Sequence, residues 1–174
     1  VVTLRSAGVI CIERNFIPLS LTNFFAMDIF IPFEIKEIEH ASYHPIVVAI
    51  IGHEQINMIL DTGASRTVLS NNLVVNFDKT TGDDEEAFAA GINAQRMQVE
   101  QVVIPSIRIG DLEFFDMLIF STDLNAVSSL YEQMAGIRID GLLGCDFLVK
   151  YGGVVDFNTQ RMVLTKFQQA NKSF

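Results

Sequence analysis

Cysteine, histidine and positive charge are all scarce in this sequence, and each scarcity argues against a class of function. Cysteine occurs only at positions 11 and 145. Two thiols are too few for a disulfide framework, and neither Cys11 nor Cys145 has ligand-like neighbours. Cys145 is therefore expected to be a small buried hydrophobe. The three histidines, His40, His44 and His53, lie in polar surroundings. His40 and His44 are read around a turn ending at Pro45, and His53 in a hairpin turn, so none is taken as a metal ligand. No metal and no other cofactor is expected. With 12 Lys and Arg against 21 Asp and Glu the net charge is −9, and no basic cluster is present to grip a phosphate backbone. Nucleic acid is not an expected partner. No apolar run approaches the roughly 18 uninterrupted residues that cross a bilayer, so a membrane is not expected either. A cytoplasmic setting is expected.

What the sequence has in quantity is apolar residues. At 174 residues, 49% hydrophobic and 19% charged, it can bury one compact core but not two comfortable ones. Residues 1–26 show neither helical nor alternating periodicity. Glu13, Arg14 and Asn15 interrupt them too early for a secretory signal, and Asn23-Phe24-Phe25-Ala26 is a poor cleavage site. The expectation is that Met27 is the natural start, that 1–26 form a non-native or disordered extension, and that 27–174 form a single domain.

From there the pattern is mostly that of strands. Residues 28–38 alternate over their second half and predict an edge strand with Pro32 near its beginning. Residues 45–51, a turn at 52–54, and 55–60 predict a hairpin. A near copy follows at 102–109, 110–112 and 113–120, which suggests an internal duplication. Residues 76–86 are polar and acidic, a solvated loop. Residues 87–94 and 95–103 predict a further hairpin whose bend includes Gly91. The stretch 123–136 predicts a helix with an Asp123 cap, apolar Leu124, Val127, Leu130, Tyr131 and Met134 on a packing face, and a terminal glycine. A short helix over 146–151, stopped by Gly152-Gly153, and a closing hairpin over 154–165 complete the chain.

One stretch stands apart. Residues 56–69 run from an apolar strand into Asp61-Thr62-Gly63-Ala64-Ser65, delivering a carboxylate at a strand end between apolar walls. Far downstream, Gly141-Leu142-Leu143-Gly144 follows Ile139-Asp140 and precedes the short helix. With these two motifs, in this order, the chain resembles the retropepsin-like aspartic proteases over residues 46–165. The resemblance implies a mainly β, closed or orthogonal barrel-like acid-protease fold with one or two short helices. It makes Asp61 the catalytic acid, Thr62, Gly63, Ala64 and Ser65 its loop, and Gly141, Leu142, Leu143 and Gly144 the segment threading beside it. It also makes Ala90, Gly91 and Ile92 the substrate-covering flap, although Gly91 stands without the family's usual glycine-rich tip. The closing hairpin departs from retroviral proteases, whose last strand enters the dimer interface.

Peptide hydrolysis by carboxylates needs two that share a proton, one to activate water and one to protonate the leaving amide. The chain has a single Asp-Thr-Gly, so a homodimer with Asp61 from each subunit on its axis is expected, acting on a peptide or protein substrate. Thr62 would then bond across the dimer, and Ser65 and Thr67 would hydrogen-bond locally to hold the loop. Ser65 as nucleophile lacks a histidine base. A non-catalytic dimerisation or peptide-binding module of the same fold is the alternative function. A kinase-like phosphate turn would need a larger two-lobed chain with further glycine-rich loops.

Overall fold

The computed structural model describes residues 3–5, 9–11, 24–80 and 99–169. The chain divides into two units, 1–27 with 167–174, and Asp28–Lys166. In the first, β1 (Thr3–Arg5) pairs antiparallel with β2 (Val9–Cys11). The other strands, in chain order, are β3 (Phe24–Pro32), β4 (Glu34–Glu39), β5 (Ser42–Ile51), β6 (Glu54–Leu60), β7 (Val68–Ser70), β8 (Lys79–Thr80), β9 (Glu100–Ile109), β10 (Leu112–Thr122), β11 (Gly141–Leu143), β12 (Val154–Asp156) and β13 (Arg161–Gln169). Two α-helices, α1 (Asn125–Ala135) and α2 (Cys145–Tyr151), lie on either side of β11 in the chain.

The main sheet runs β4-β5-β6-β11-β7-β10-β9-β8 and closes on itself, because β5 also pairs with β9 through Ala49 opposite Ile109 and Ile50 opposite Arg108. Six strands, β5, β6, β11, β7, β10 and β9, thus form a closed barrel, which satisfies the backbone groups an open edge would expose. The fold is mainly β with two short α-helices, as expected. Alternation along the strands fills the interior with Val47 and Ala49 of β5, Ile56, Met58 and Leu60 of β6, and Met117 and Ile119 of β10. A fully buried aliphatic side chain of this size contributes roughly 1.5–3 kcal/mol.

The repeated hairpin is visible in the pairing. β6 runs parallel to β11 and β10 runs parallel to β7, while β5 with β9 and β7 with β11 are antiparallel. Exchanging β5, β6 and β7 for β9, β10 and β11 leaves the ring unchanged. Asp61 follows β6 directly and Asp123 follows β10 directly. In the second half that carboxylate is spent locally, accepting the Asn125 N–H at 2.8 Å where α1 begins.

Several expectations need correction. The strand expected over 28–38 is two strands, broken at Phe33, whose N–H turns to the Gln160 carbonyl at 3.0 Å. Pro32 ends the first of them instead of lying near a beginning, which suits a residue without an N–H to offer the ladder. His44 lies within β5, not in the turn before Pro45. Helix α1 starts at Asn125 and ends at left-handed Gly136, but its apolar stripe does not all pack. Leu124 and Tyr131 are buried, whereas Val127, Leu130 and Met134 are 36%, 49% and 42% exposed. Tyr131 joins Ile38, Ile46, Ile59 and Ile139 in a cluster separate from the main core. The bend assigned to Ala90, Gly91 and Ile92 lies outside the described residues, as does most of the acidic loop.

Candidate active site

The Asp61 loop is held by backbone contacts that its own sequence specifies. Asp61 N–H donates to the Leu143 carbonyl at 3.0 Å, continuing the register in which Gly141, Leu142 and Leu143 face Met58, Ile59 and Leu60. Ala64 N–H closes the turn onto the Asp61 carbonyl at 3.2 Å, and Gly63 N–H donates to Asp61 Oδ1 at 2.8 Å. Asp61 is half-buried, and Thr62, Gly63 and Ser65 are exposed.

The downstream motif reaches the loop because its glycines allow it. β11 is wedged between β6 and β7. A Cβ on Gly141 would stand 2.6 Å from the Val68 carbonyl oxygen and 2.7 Å from Leu69 Cδ2. On Gly144 it would stand 2.5 Å from the Arg66 carbonyl carbon and oxygen and 2.9 Å from the Ala64 oxygen. Neither approach tolerates a side chain. The contact is used at once: Cys145 N–H donates to the Ala64 carbonyl at 2.8 Å and Gly144 N–H to Thr67 Oγ1 at 3.2 Å.

Asp146, which sequence reasoning did not single out, completes the clamp. Its Oδ2 accepts the Thr67 N–H at 2.9 Å, and its Oδ1 accepts the Thr67 hydroxyl at 2.7 Å and the Phe147 N–H at 2.8 Å. An acid in the first turn of α2 was the available signal, since carboxylates favour helix N-termini. Thr67 therefore holds the loop, as expected, but through α2 rather than locally. Cys145 differs from its expected role. It is partly exposed and its thiol donates to the Thr62 carbonyl at 2.9 Å, against the loop itself. Asp140, the nearest acid in the second motif, is buried and bound into the structure. It accepts the Asn57 N–H at 3.1 Å and pairs with Arg138 at 2.8 Å. It lies level with Asn57, four residues from Asp61 along β6, on the order of 13 Å away at strand rise.

Asp61 opens onto a cleft of about 330 Å³ whose walls include Tyr43, His44, Thr62, Tyr131 and Phe157. Neither His44 nor Tyr131 stood out as a site residue in the sequence, because they are 87 positions apart and meet only in the fold. Burial, and then the charge of Asp61, raise the Tyr131 pKa above the usual phenol value. A larger cavity of about 410 Å³, lined by residues such as Pro32, Lys36, Asn57 and Arg108, contains no residue of the Asp61 loop. We assign the site to the smaller cleft, which holds Asp61 and Thr62 of the Asp-Thr-Gly motif. Among the described residues no group of three or more His, Cys, Asp or Glu could hold a metal ion.

A family model described as Aspartyl protease matches residues 46–147. Among solved structures, the chain is similar to a retropepsin-like aspartic protease from Rickettsia conorii, at 16% identity and TM-score 0.43, over 88% of this chain and 100% of that one. It is also similar to the retroviral protease-like domain of Ddi1 from Leishmania major, at 13% identity and TM-score 0.46, over 74% and 96% of the two chains. No curated protein matches in sequence.

Proposed function

Because the chain belongs to the aspartyl protease family, whose model it matches over residues 46–147, we propose that it is an aspartic endopeptidase that works as a homodimer, with Asp61 of each subunit meeting at the axis. The observation that carries this reading is the Asp61 carboxylate itself, held at a barrel strand end by Leu143 and Gly63 and open to a cleft. One carboxylate takes a proton from water as it attacks the scissile carbonyl. The other donates a proton to the scissile nitrogen, which departs as an amine when the C–N bond breaks. Two carboxylates this close cannot both ionise, a coupling for which aspartic proteases are the standing example. With a single Asp-Thr-Gly per chain, the second comes from another copy. In this reading Thr62 hydrogen-bonds across the axis to the opposite loop, Gly63 lets backbone approach the carboxylate and substrate closely, and Ala90, Gly91 and Ile92 serve as the cover over the peptide.

The test is cleavage of a diverse peptide library by the purified chain, with and without a statine-type transition-state mimic. Cleavage that the mimic blocks and Asp61→Asn abolishes is expected. Peptide binding without turnover by the intact chain would instead identify a binding module.

A further inference from the structure

The cleft beside Asp61 contains a polar pair that peptide hydrolysis by two carboxylates does not require. The Tyr131 hydroxyl lies 3.0 Å from His44 Nδ1, and His44 Nε2 lies 3.2 Å from Ser42 Oγ. The two rings meet edge to face at 5.5 Å. Tyr131 is buried on the inner side of α1, His44 is half-buried on β5, and both line the cleft with Asp61. Packing alone would be served by phenylalanine, since the Tyr131 ring already has Ile38, Ile46, Ile59 and Ile139 around it.

The donor and acceptor inventory gives the pair two states. In a neutral imidazole one nitrogen accepts and the other donates. A phenol is a stronger donor than an aliphatic hydroxyl, so we assign Tyr131 O–H as the donor to Nδ1 and Nε2–H as the donor to Ser42 Oγ. When His44 takes a proton from solvent, both nitrogens become donors. Nδ1–H then points at the Tyr131 oxygen, and the phenolic hydrogen must turn elsewhere. Imidazole is the side chain whose charge ordinarily changes between pH 5 and 8.

We propose that His44 and Tyr131 form a proton-operated hydrogen-bond donor in the cleft: protonation of His44 releases the Tyr131 hydroxyl, which then donates to a backbone carbonyl of a peptide bound against Asp61. This rests on the proposed peptidase function. Tyr131 binds substrate directly, and His44 is a positioning residue acting through it. No bond is broken in the step beyond transfer of one proton from solvent to Nδ1; the hydroxyl rotates.

The charged and titratable groups around the pair lie on β4, on α1, before β11 and at the end of β12. On β4, Lys36 lies directly opposite His44 and pairs with Glu34, while Glu37 lies opposite Tyr43 and accepts the Ala41 N–H, and Glu39 lies opposite Ser42. Beyond β4, Arg138 and Asp140 pair with each other before β11, Asp156 is bonded by Asn158 and Thr159, and Glu132 on α1 is exposed. Burial, and then the charge of Asp61, keep the Tyr131 hydroxyl in its protonated form, as a donor must be.

The experiment is the pH dependence of kcat/KM for the full chain, Tyr131→Phe, His44→Asn and the double variant, with folding checked at each pH. Dividing each variant by the unsubstituted protein removes titration common to both. On the acid side of the imidazole transition Tyr131→Phe should lose about tenfold, the worth of one good hydrogen bond, and the loss should vanish above that transition. His44→Asn, whose amide oxygen accepts from the Tyr131 hydroxyl and takes up no proton in this range, should lose a similar factor at acid pH, and the double variant no more than either single one. His53→Asn, in the β5–β6 turn, should leave the profile unchanged. A loss equal at every pH, no loss, or additive losses would overturn the inference while leaving the peptidase reading intact. Absence of Asp61-dependent cleavage at any pH would overturn both. Should a variant fail to fold, the ring nitrogen shifts of His44 in the unsubstituted chain decide. A neutral Nε2–H tautomer is expected, and a neutral Nδ1–H tautomer overturns the inference, because the hydroxyl would then be released at all pH values.

Discussion

At Asp61 the hydrogen bonds that fix the residue come from backbone, the Asp61 N–H to Leu143 and the Gly63 N–H to Oδ1, so its side chain keeps one oxygen for chemistry. Asp146 does the opposite and spends its carboxylate on structure. Replacing Asp146 by Ala strands the Thr67 N–H and hydroxyl, and unfolding free energy should fall by roughly 2 kcal/mol, the range for hydrogen bonds to a charged group. Denaturant melts measure that loss, and an unchanged midpoint would show that the clamp is dispensable. Tyr131 gives a pH-dependent prediction. Burial, and secondarily Asp61, raise its pKa in the folded chain, so the folded state favours the neutral phenol. The corresponding stability is fully present below the unfolded phenol's pKa of about 10 and is lost as pH rises through the higher folded value. Urea melts at pH 8 and pH 11 should therefore show a larger drop for the unsubstituted chain than for Tyr131→Phe, and equal drops would contradict the assignment.

Among the elements, β11 and α2 do most to build the site, and their glycines set the limit of approach. Gly144→Ala places a methyl group against the Arg66 and Ala64 carbonyls, and overpacking of this kind costs roughly 1–3 kcal/mol. A thermal midpoint should fall, and peptidase activity should fall further than stability because the displaced atoms belong to the Asp61 loop; a neutral substitution would mean that the segment can shift aside. The same elements mark what a linear reading reaches. The two hairpins, α2 and the closing hairpin were legible because period-two alternation and glycine stops are local signals. The Asp-Thr-Gly turn was legible because its neighbours in sequence are its neighbours in space. Thr67 with Asp146 and His44 with Tyr131 were not legible as pairs, being 79 and 87 residues apart. The stripe on α1 misled for a related reason. Helical spacing shows which residues share a face, but only the position of Ile38, Ile46 and Ile59 decides that Tyr131 packs while Leu130 and Met134 remain exposed.

At the scale of the whole molecule, the barrel is an internally repeated half-and-half design that carries Asp-Thr-Gly in only one half. Its counterpart, Asp123, is committed to the start of α1, and Asp140 is buried against Asn57 and Arg138. Neither is free to be the second acid within one chain, and the proposed mechanism takes that acid from a second copy. Two crowded Asp61 carboxylates should hold one proton between them, giving a bell-shaped pH profile with its optimum on the acid side of neutrality; a flat profile would exclude a shared proton. Asp61→Asn keeps nearly the same shape and should leave the barrel and the dimer intact while removing cleavage, and relief of repulsion at the axis should, if anything, tighten association. Two concentration effects follow by mass action. Specific activity should fall as the unsubstituted chain is diluted below its dimer dissociation constant, and an excess of Asp61→Asn chains should poison it by forming heterodimers with one competent carboxylate. Sedimentation run beside the cleavage assay decides the matter. Activity should track the dimer fraction through both the dilution and the mixing series, whereas a monomer fully active at every concentration would remove the shared site.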